Sequence, residues 1–254
     1  MAAYTVAAQP APATPEAVVR EHFAAQVAKD IERLMAVIAD TLEVHPPPVE
    51  DLPATPGVFT WKEARGMYAA GFEMPSSERM ELAQVIAAGN WVAARERYGT
   101  RGDSAAFESI LVYQVRAGRV RGTWIFNGSM EEKDPRTPQA VREHVAAQAA
   151  HDLPRVMAVM GDSLEVHTGT AGRQPAAMVL DRAKVDGMYR GIFSRWPEQR
   201  IELMEIMASG EWVVTRERVT GMGLPGEPAE GMAVYRVHGG RIVGMWLFDP
   251  EQVR

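Results

Sequence analysis

The chain contains no cysteine, which excludes a disulfide framework, a thiolate zinc site and a cysteine nucleophile. Aromatic residues make up only 7% of it. No run approaches the roughly 18 consecutive apolar residues that a membrane helix needs. Basic charge is not in excess: 27 Lys and Arg stand against 33 Asp and Glu, a formal net charge of −6, with both signs interspersed. Nucleic-acid binders usually show a basic stripe, so no such partner is expected. The opening MAAYTVAAQPAPATP has neither a charged start nor a continuous apolar core, and it does not read as a secretory signal. These absences lead to the expectation of a soluble, cytoplasmic protein with a loose leader over residues 1–13.

What the chain has instead is self-similarity. REHFAAQVAKDIERLMAVIADTLEVH (Arg20–His45) lies on REHVAAQAAHDLPRVMAVMGDSLEVH (Arg142–His167) without a gap, and most of the pairs are identical. GMY recurs at Gly66–Tyr68 and Gly187–Tyr189, and GNWVAARERYGT (Gly89–Thr100) matches GEWVVTRERVTG (Gly210–Gly221). VYQVRAGRVRGTWIFN (Val112–Asn127) matches VYRVHGGRIVGMWLFD (Val234–Asp249). A period this long is a whole domain and not a solenoid unit. Residues 14–130 form the first domain, 131–136 a polar linker and 137–254 the second. Each is large enough to bury its own core.

Within one copy, Thr14-Pro15-Glu16 is a helix start: a hydroxyl N-cap, proline at the first helical position and an acid near the positive end of the dipole. Val19, Phe23, Val27, Ile31, Leu34 and Ile38 follow at spacings of three and four. Asp30 and Asp152 stand where a first helix passes into a second, and Pro154 favours reading them as N-caps rather than catalytic carboxylates. A third helix begins at the capping-box pattern Thr60–Glu63, and its twin at Asp181. Segments of period two then cover Met80–Ala87, Trp91–Tyr98, Ile110–Arg116 and Arg119–Phe126. The turn pairs Gly89-Asn90 and Ala117-Gly118 separate them, as in antiparallel hairpins. Helices followed by a curved antiparallel sheet imply an α+β fold with a conical cavity between the layers, a shape that holds small ligands.

A helical pair with D-[I/L]-x-R, then G-[N/E]-W-V-x-x-R, then V-Y-x-V-x-x-G-R-[I/V]-x-x-x-W resembles the SnoaL-like branch of the nuclear transport factor 2-like superfamily, twice over. The resemblance implies two tandem cone-shaped α+β barrels that pair through their sheets as an internal pseudo-dimer, within a monomer or a homodimer. It also implies cofactor-free proton chemistry on a small hydrophobic molecule. The superfamily includes polyketide cyclases, ketosteroid isomerases, limonene-type epoxide hydrolases, dehydratases and non-catalytic binding domains. Fold alone does not choose among them.

Several family positions are altered here. The cyclases' last-strand aspartate falls on Pro250, with Asp249 one place early, and on Gly128 in the first copy, preceded by Asn127. The isomerases' base falls on Pro46 and Thr168, each directly after a histidine, His45 and His167. Their oxyanion-binding tyrosine falls near His22 and His144. The hydrolases' strand carboxylate is replaced by Gly99 and Thr220. Histidine is the commonest general acid/base, so the candidate catalytic groups are His22, His45, His144, His167 and Asp249. Facing water is the other reading of His45 and His167, because Leu42 and Val44 alternate with Glu43 and His45. Tyr68, Trp124, Phe126, Asn127, Tyr189, Trp246 and Phe248 are the candidate ligand wall, with core packing as the alternative. Glu43 and His45 have the spacing of two metal ligands but no third partner, so no metal is expected. The strands bearing Arg95, Arg97, Arg216 and Arg218 read as a solvated or domain-interface face with cross-strand ion pairs.

Two functions remain after this reading. One is an enzyme that cyclises, isomerises or dehydrates a polyketide, steroid or terpenoid. The other is a non-catalytic binding or assembly protein of the same fold.

Overall fold

The structure, a computed structural model, describes residues 14–47, 56–73, 79–99, 107–127, 134–169, 176–223 and 228–248. The leader, residues 131–133 of the linker and Asp249 lie outside the described residues. The first copy runs α1 (Pro15–Val27), α2 (Ile31–Ala36), β1 (Ile38–His45), β2 (Gly57–Thr60), α3 (Trp61–Glu73), β3 (Arg79–Ala88), β4 (Trp91–Gly99), β5 (Phe107–Arg116) and β6 (Arg119–Asn127). The second repeats that order: α4 (Arg136–Ala149), α5 (Leu153–Val159), β7 (Met160–Gly169), β8 (Ala176–Asp181), α6 (Arg182–Arg195), β9 (Arg200–Ser209), β10 (Trp212–Thr220), β11 (Ala229–His238) and β12 (Arg241–Phe248).

The helix starts follow their local chemistry. Thr14 Oγ1 accepts from the Ala17 N–H at 3.2 Å with Pro15 as first residue. Asp30 and Asp152 are caps: their Oδ1 atoms accept from the N–H groups of Arg33 at 3.0 Å and Arg155 at 3.2 Å. Thr60 and Glu63 close a capping box on α3, the Thr60 N–H donating to Glu63 Oε2 at 2.8 Å and the Glu63 N–H to Thr60 Oγ1 at 3.4 Å.

Each copy folds its six strands into one sheet, ordered β2-β1-β6-β5-β4-β3 and β8-β7-β12-β11-β10-β9. The antiparallel expectation holds for four of the five neighbouring pairs in each sheet. The exceptions are β1 with β6 and β7 with β12, which run parallel. Those partners are far apart in sequence and joined by a long crossover, the one circumstance in which parallel pairing is open to the chain. The sheets are curved and cone-like but not closed into barrels, since β2 and β3, like β8 and β9, remain edges.

Both faces of each sheet are buried, which explains why β4 opens W-V-A-A and β5 carries I-L-V-Y-Q-V with no polar alternation. In the first copy Val92, Ala94, Tyr113, Val115 and Val120 face the helices, packing on Val18, Val19, Met35 and Ala64. The opposite face meets the other sheet. One cluster joins Trp91, Ala93, Ile110, Val112, Trp124 and Phe126 to Met207, Trp212, Val214, Val234, Trp246 and Phe248. The aromatic rings interdigitate: Phe248 lies against Trp91 and Trp124, with centroids 4.9 and 5.5 Å away, and Phe126 against Trp212 and Trp246, at 5.0 and 5.6 Å. Such pairs add about 0.5–1.5 kcal/mol each beyond their buried area. Polar contacts cross the same seam: Trp212 Nε1 donates to the Asn127 carbonyl at 2.9 Å, Arg95 Nη1 to the Ala208 carbonyl at 3.1 Å, and Ser209 Oγ to Glu108 Oε2 at 3.0 Å.

Candidate functional site

His22 does not share an interior with His45, nor His144 with His167; in each half the sheet separates the two. His45 and His167 lie on the seam between the sheets. Each ring stacks on the tryptophan that faces it in the parallel register, His45 on Trp124 at 4.3 Å and His167 on Trp246 at 4.5 Å. Each Nε2 meets a carboxylate two residues back, Glu43 at 2.8 Å and Glu165 at 2.7 Å. Burial is the main reason that the His45 pKa falls below its usual value; Glu43 opposes the fall, and the charge of His167 on the other half adds to it. The face that alternation assigned to water is therefore covered by the second domain. The register supplies the physical reason: Leu42 and Val44 turn toward the helices, so position 45 must turn toward the seam.

Trp124, Phe126, Trp246 and Phe248 stand on that seam as well, locked in the aromatic cluster. Asn127 ends β6 beside it, its Oδ1 accepting from Ser109 Oγ at 3.2 Å. Asp249 is outside the described residues.

His22, His144, Tyr68 and Tyr189 occupy the other side, between helices and sheet. α1 turns His22 inward in the same stripe as Val18, Val19 and Phe23, and α4 does the same with His144. His22 Nε2 is 3.1 Å from Tyr68 Oη, and His144 Nε2 is 3.3 Å from Tyr189 Oη. The His22 ring also meets Tyr113 edge-on at 5.3 Å, and the His144 ring meets Tyr235 at 5.7 Å. Burial lowers both imidazole pKa values from 6.5 to about 4, so the rings are neutral near pH 7. Neither Nδ1 has a hydrogen-bond partner among the described residues.

The same interiors hold a carboxyl group that alternation did not single out. Glu96 on β4 and Glu217 on β10 point away from the arginines beside them and into the helix side. Tyr113 Oη donates to Glu96 Oε1 and Tyr235 Oη to Glu217 Oε1, each at 2.9 Å. Tyr98 Oη donates to Glu96 Oε2, and Thr215 Oγ1 to Glu217 Oε1 at 2.6 Å. Burial raises the pKa of both carboxyls, with the hydroxyl hydrogen bonds opposing the rise. Burial first, then the charge of Glu96 or Glu217, lifts the pKa values of Tyr68 and Tyr189 as well. Each half thus gathers a carboxyl, a neutral imidazole and tyrosines, three in the first and two in the second, in one apolar interior, an arrangement able to give or take a proton. The usable signal was the even positions of β4: Val92, Ala94, Glu96 and Tyr98 share a face whose first two members are core residues. The odd positions carry the arginines and their ion pairs, Arg97 with Glu108 at 2.7 Å and, in the second copy, Arg216 with Glu230 at 2.7 Å.

No group of three or more potential metal-ligating side chains occurs among the described residues, and none of the described helices is long and apolar enough to cross a membrane. No curated protein matches the chain. Among solved structures it is similar to an NTF2-like protein of Mesorhizobium loti, at 19% identity over 47% of this chain and 96% of that one, TM-score 0.40. It is also similar to a SnoaL-like protein of Burkholderia thailandensis, at 18% over 46% and 96%, TM-score 0.38. A third is a cystatin-fold protein of Novosphingobium aromaticivorans, at 21% over 44% and 97%, TM-score 0.39. The model of the SnoaL-like domain matches the sequence twice, over residues 19–122 and 141–245. With most of its length covered by those two matches, the chain belongs to the SnoaL-like domain family and carries two copies of the domain.

Proposed function

We propose that the chain is an enzyme that moves a proton on a small hydrophobic molecule held between helices and sheet, in a cyclisation, isomerisation or dehydration that needs no cofactor. The observation that carries this reading is the desolvated Glu–Tyr pair, Glu96 with Tyr113 and Glu217 with Tyr235, facing a neutral His–Tyr pair in the same interior. A carboxyl whose pKa is raised by apolar surroundings holds a proton nearer to neutrality, where general acid–base catalysis is most efficient. The surrounding wall suits a greasy ligand. Met188, Ile192, Phe193, Leu203 and Val219 are only partly buried and pack around the second interior. A polyketide, steroid or terpenoid carbon skeleton carrying a carbonyl or enol matches that combination of apolar wall and sparse hydroxyl and carboxyl groups.

The test reads proton transfer itself. Cyclic ketones and enones, steroid enones included, are incubated with the protein in D2O, and deuterium uptake next to the carbonyl is followed by mass spectrometry. Uptake above buffer is expected for at least one skeleton, with a loss of about 100-fold or more when Glu96→Gln and Glu217→Gln are combined. A folded protein that neither retains such a ligand nor accelerates uptake overturns the reading.

A further inference from the structure

The two interiors are not copies in their hydrogen bonding. In the first, Glu96 is closed on both oxygens: Tyr113 Oη donates to Oε1 and Tyr98 Oη to Oε2, and the residue is 1% exposed. In the second, both donors converge on one oxygen. Thr215 Oγ1 and Tyr235 Oη reach Glu217 Oε1 at 2.6 and 2.9 Å, and no donor among the described residues reaches Oε2. Two sequence differences produce this. The repeat places Val219 where the first half has Tyr98, which removes the lock, and Thr215 where it has Ala94, which adds a donor to the oxygen already occupied. Glu217 is half-buried where Glu96 is buried.

A third difference follows the same line. Met245 faces the Tyr189 hydroxyl with its sulfur at 3.9 Å, where the first half has Thr123, whose buried hydroxyl finds no partner among the described residues. The first interior therefore offers hydroxyl groups and an imidazole but no free carboxyl oxygen. The second offers a free carboxyl oxygen within an apolar, sulfur-lined wall.

We infer that the two halves have divided their work: the second presents Glu217 Oε2 to the ligand and exchanges the proton there, while in the first Glu96 is held by Tyr98 and Tyr113 as a structural pair. The working half then takes a ligand with an acidic C–H or an enol or phenol O–H, because a carboxyl oxygen must receive that hydrogen. The proton leaves the ligand for Glu217 Oε2, the bonding pair stays on the ligand as an enolate or phenolate, and the same oxygen returns the proton at another atom. This inference rests on the functional reading above, but its first test does not.

That test is carboxyl labelling of the intact protein with a carbodiimide and glycinamide, read residue by residue by mass spectrometry. A lock made of hydrogen bonds to a carboxyl predicts that Glu217 is labelled at least about tenfold faster than Glu96. Tyr98→Phe should raise the Glu96 rate toward that of Glu217, and the reciprocal Val219→Tyr should lower the Glu217 rate. Equal labelling in the wild-type protein, which needs no variant to fold, overturns the division of work. So does a Glu96 rate unmoved by Tyr98→Phe in a folded variant. The deuterium assay supplies the second arm: Glu217→Gln alone should lose as much uptake as the double Gln variant. Retained uptake in that single variant sinks the division of work while leaving the functional reading intact. Unequal labelling with no uptake in any protein sinks the functional reading and with it the proton exchange at Glu217, leaving only the difference in locking, and 2-naphthol protecting Glu217 from label supports the assigned ligand chemistry.

Discussion

Acid should destabilise this fold well above the pH at which carboxylates titrate, and the cause lies in His22 and His144. Each ring is fully enclosed, and burial alone lowers its pKa from 6.5 to about 4. That displacement is worth about 3 kcal/mol per ring at 1.36 kcal/mol per pH unit. The sign follows from proton counting. Between pH 6.5 and about 4 the unfolded chain binds protons that the folded chain refuses, so stability falls as pH falls. The contribution is complete above 6.5 and gone by about 4. His45, also lowered, pulls the same way. Glu96 and Glu217 pull the other way, because their raised values let the folded chain bind protons first. Wild type alone would show only the sum, so the measurement is a difference. Urea unfolding is followed at pH 7, 6 and 5 for wild type and His144→Gln, and the gap between the two stabilities is compared. Packing changes caused by the substitution move all pH values equally and cancel. The gap should change by about 1.2 kcal/mol between pH 6 and 5 and level off above 6.5, the wild type losing more on acidification. His22→Gln should behave alike, and the double variant should give about twice the slope, since the sites are in separate interiors. Parallel stability curves, or His22 and His144 C–H resonances titrating near 6.5 in the folded protein, would refute the account.

Two further outcomes concern the seam. A Cβ on Gly244 would stand 2.7 Å from Trp246 Cζ3, and that indole is also stacked on His167. Gly244→Ala should therefore cost about 1–3 kcal/mol by overpacking and shift the Trp246 fluorescence, with an unchanged unfolding midpoint counting against this geometry. Phe126 is wedged between Trp212 and Trp246 of the other half. Phe126→Ala should cost about 3–5 kcal/mol and raise amide exchange in β12 as well as β6 if the seam couples the halves, and exchange confined to β6 would contradict that coupling.

The fold was legible because it depends on periodicity and punctuation, and both are local. Thr14, Asp30, Thr60 and Asp181 cap helices as their neighbours dictate, and the turn pairs at Gly89 and Ala117 set the strand ends. The site was less legible for a different reason. Alternation states which residues share a face but not what covers that face. Glu43 and His45 were correctly paired on one side of β1, yet whether water or protein lay beyond depended on a second domain whose approach no local pattern encodes. The tryptophans suffered the same ambiguity, since an aromatic strand face suits a ligand wall and a sheet–sheet seam equally.

Glu96 and Glu217 show the limit most clearly. R-E-R reads as a charged stretch when its residues are counted together, but a strand divides it, sending two arginines to one face and one acid to the core. Core acids on strands are rare because desolvation opposes their charge, and here it raises the pKa of both carboxyls. The repeat then makes the comparison that a single domain could not. With Tyr98 in one half and Val219 in the other, the same carboxyl appears once closed and once open. A core that uses the acid in one half, and supports it in the other with two tyrosine hydrogen bonds, accounts for both the retention and the difference.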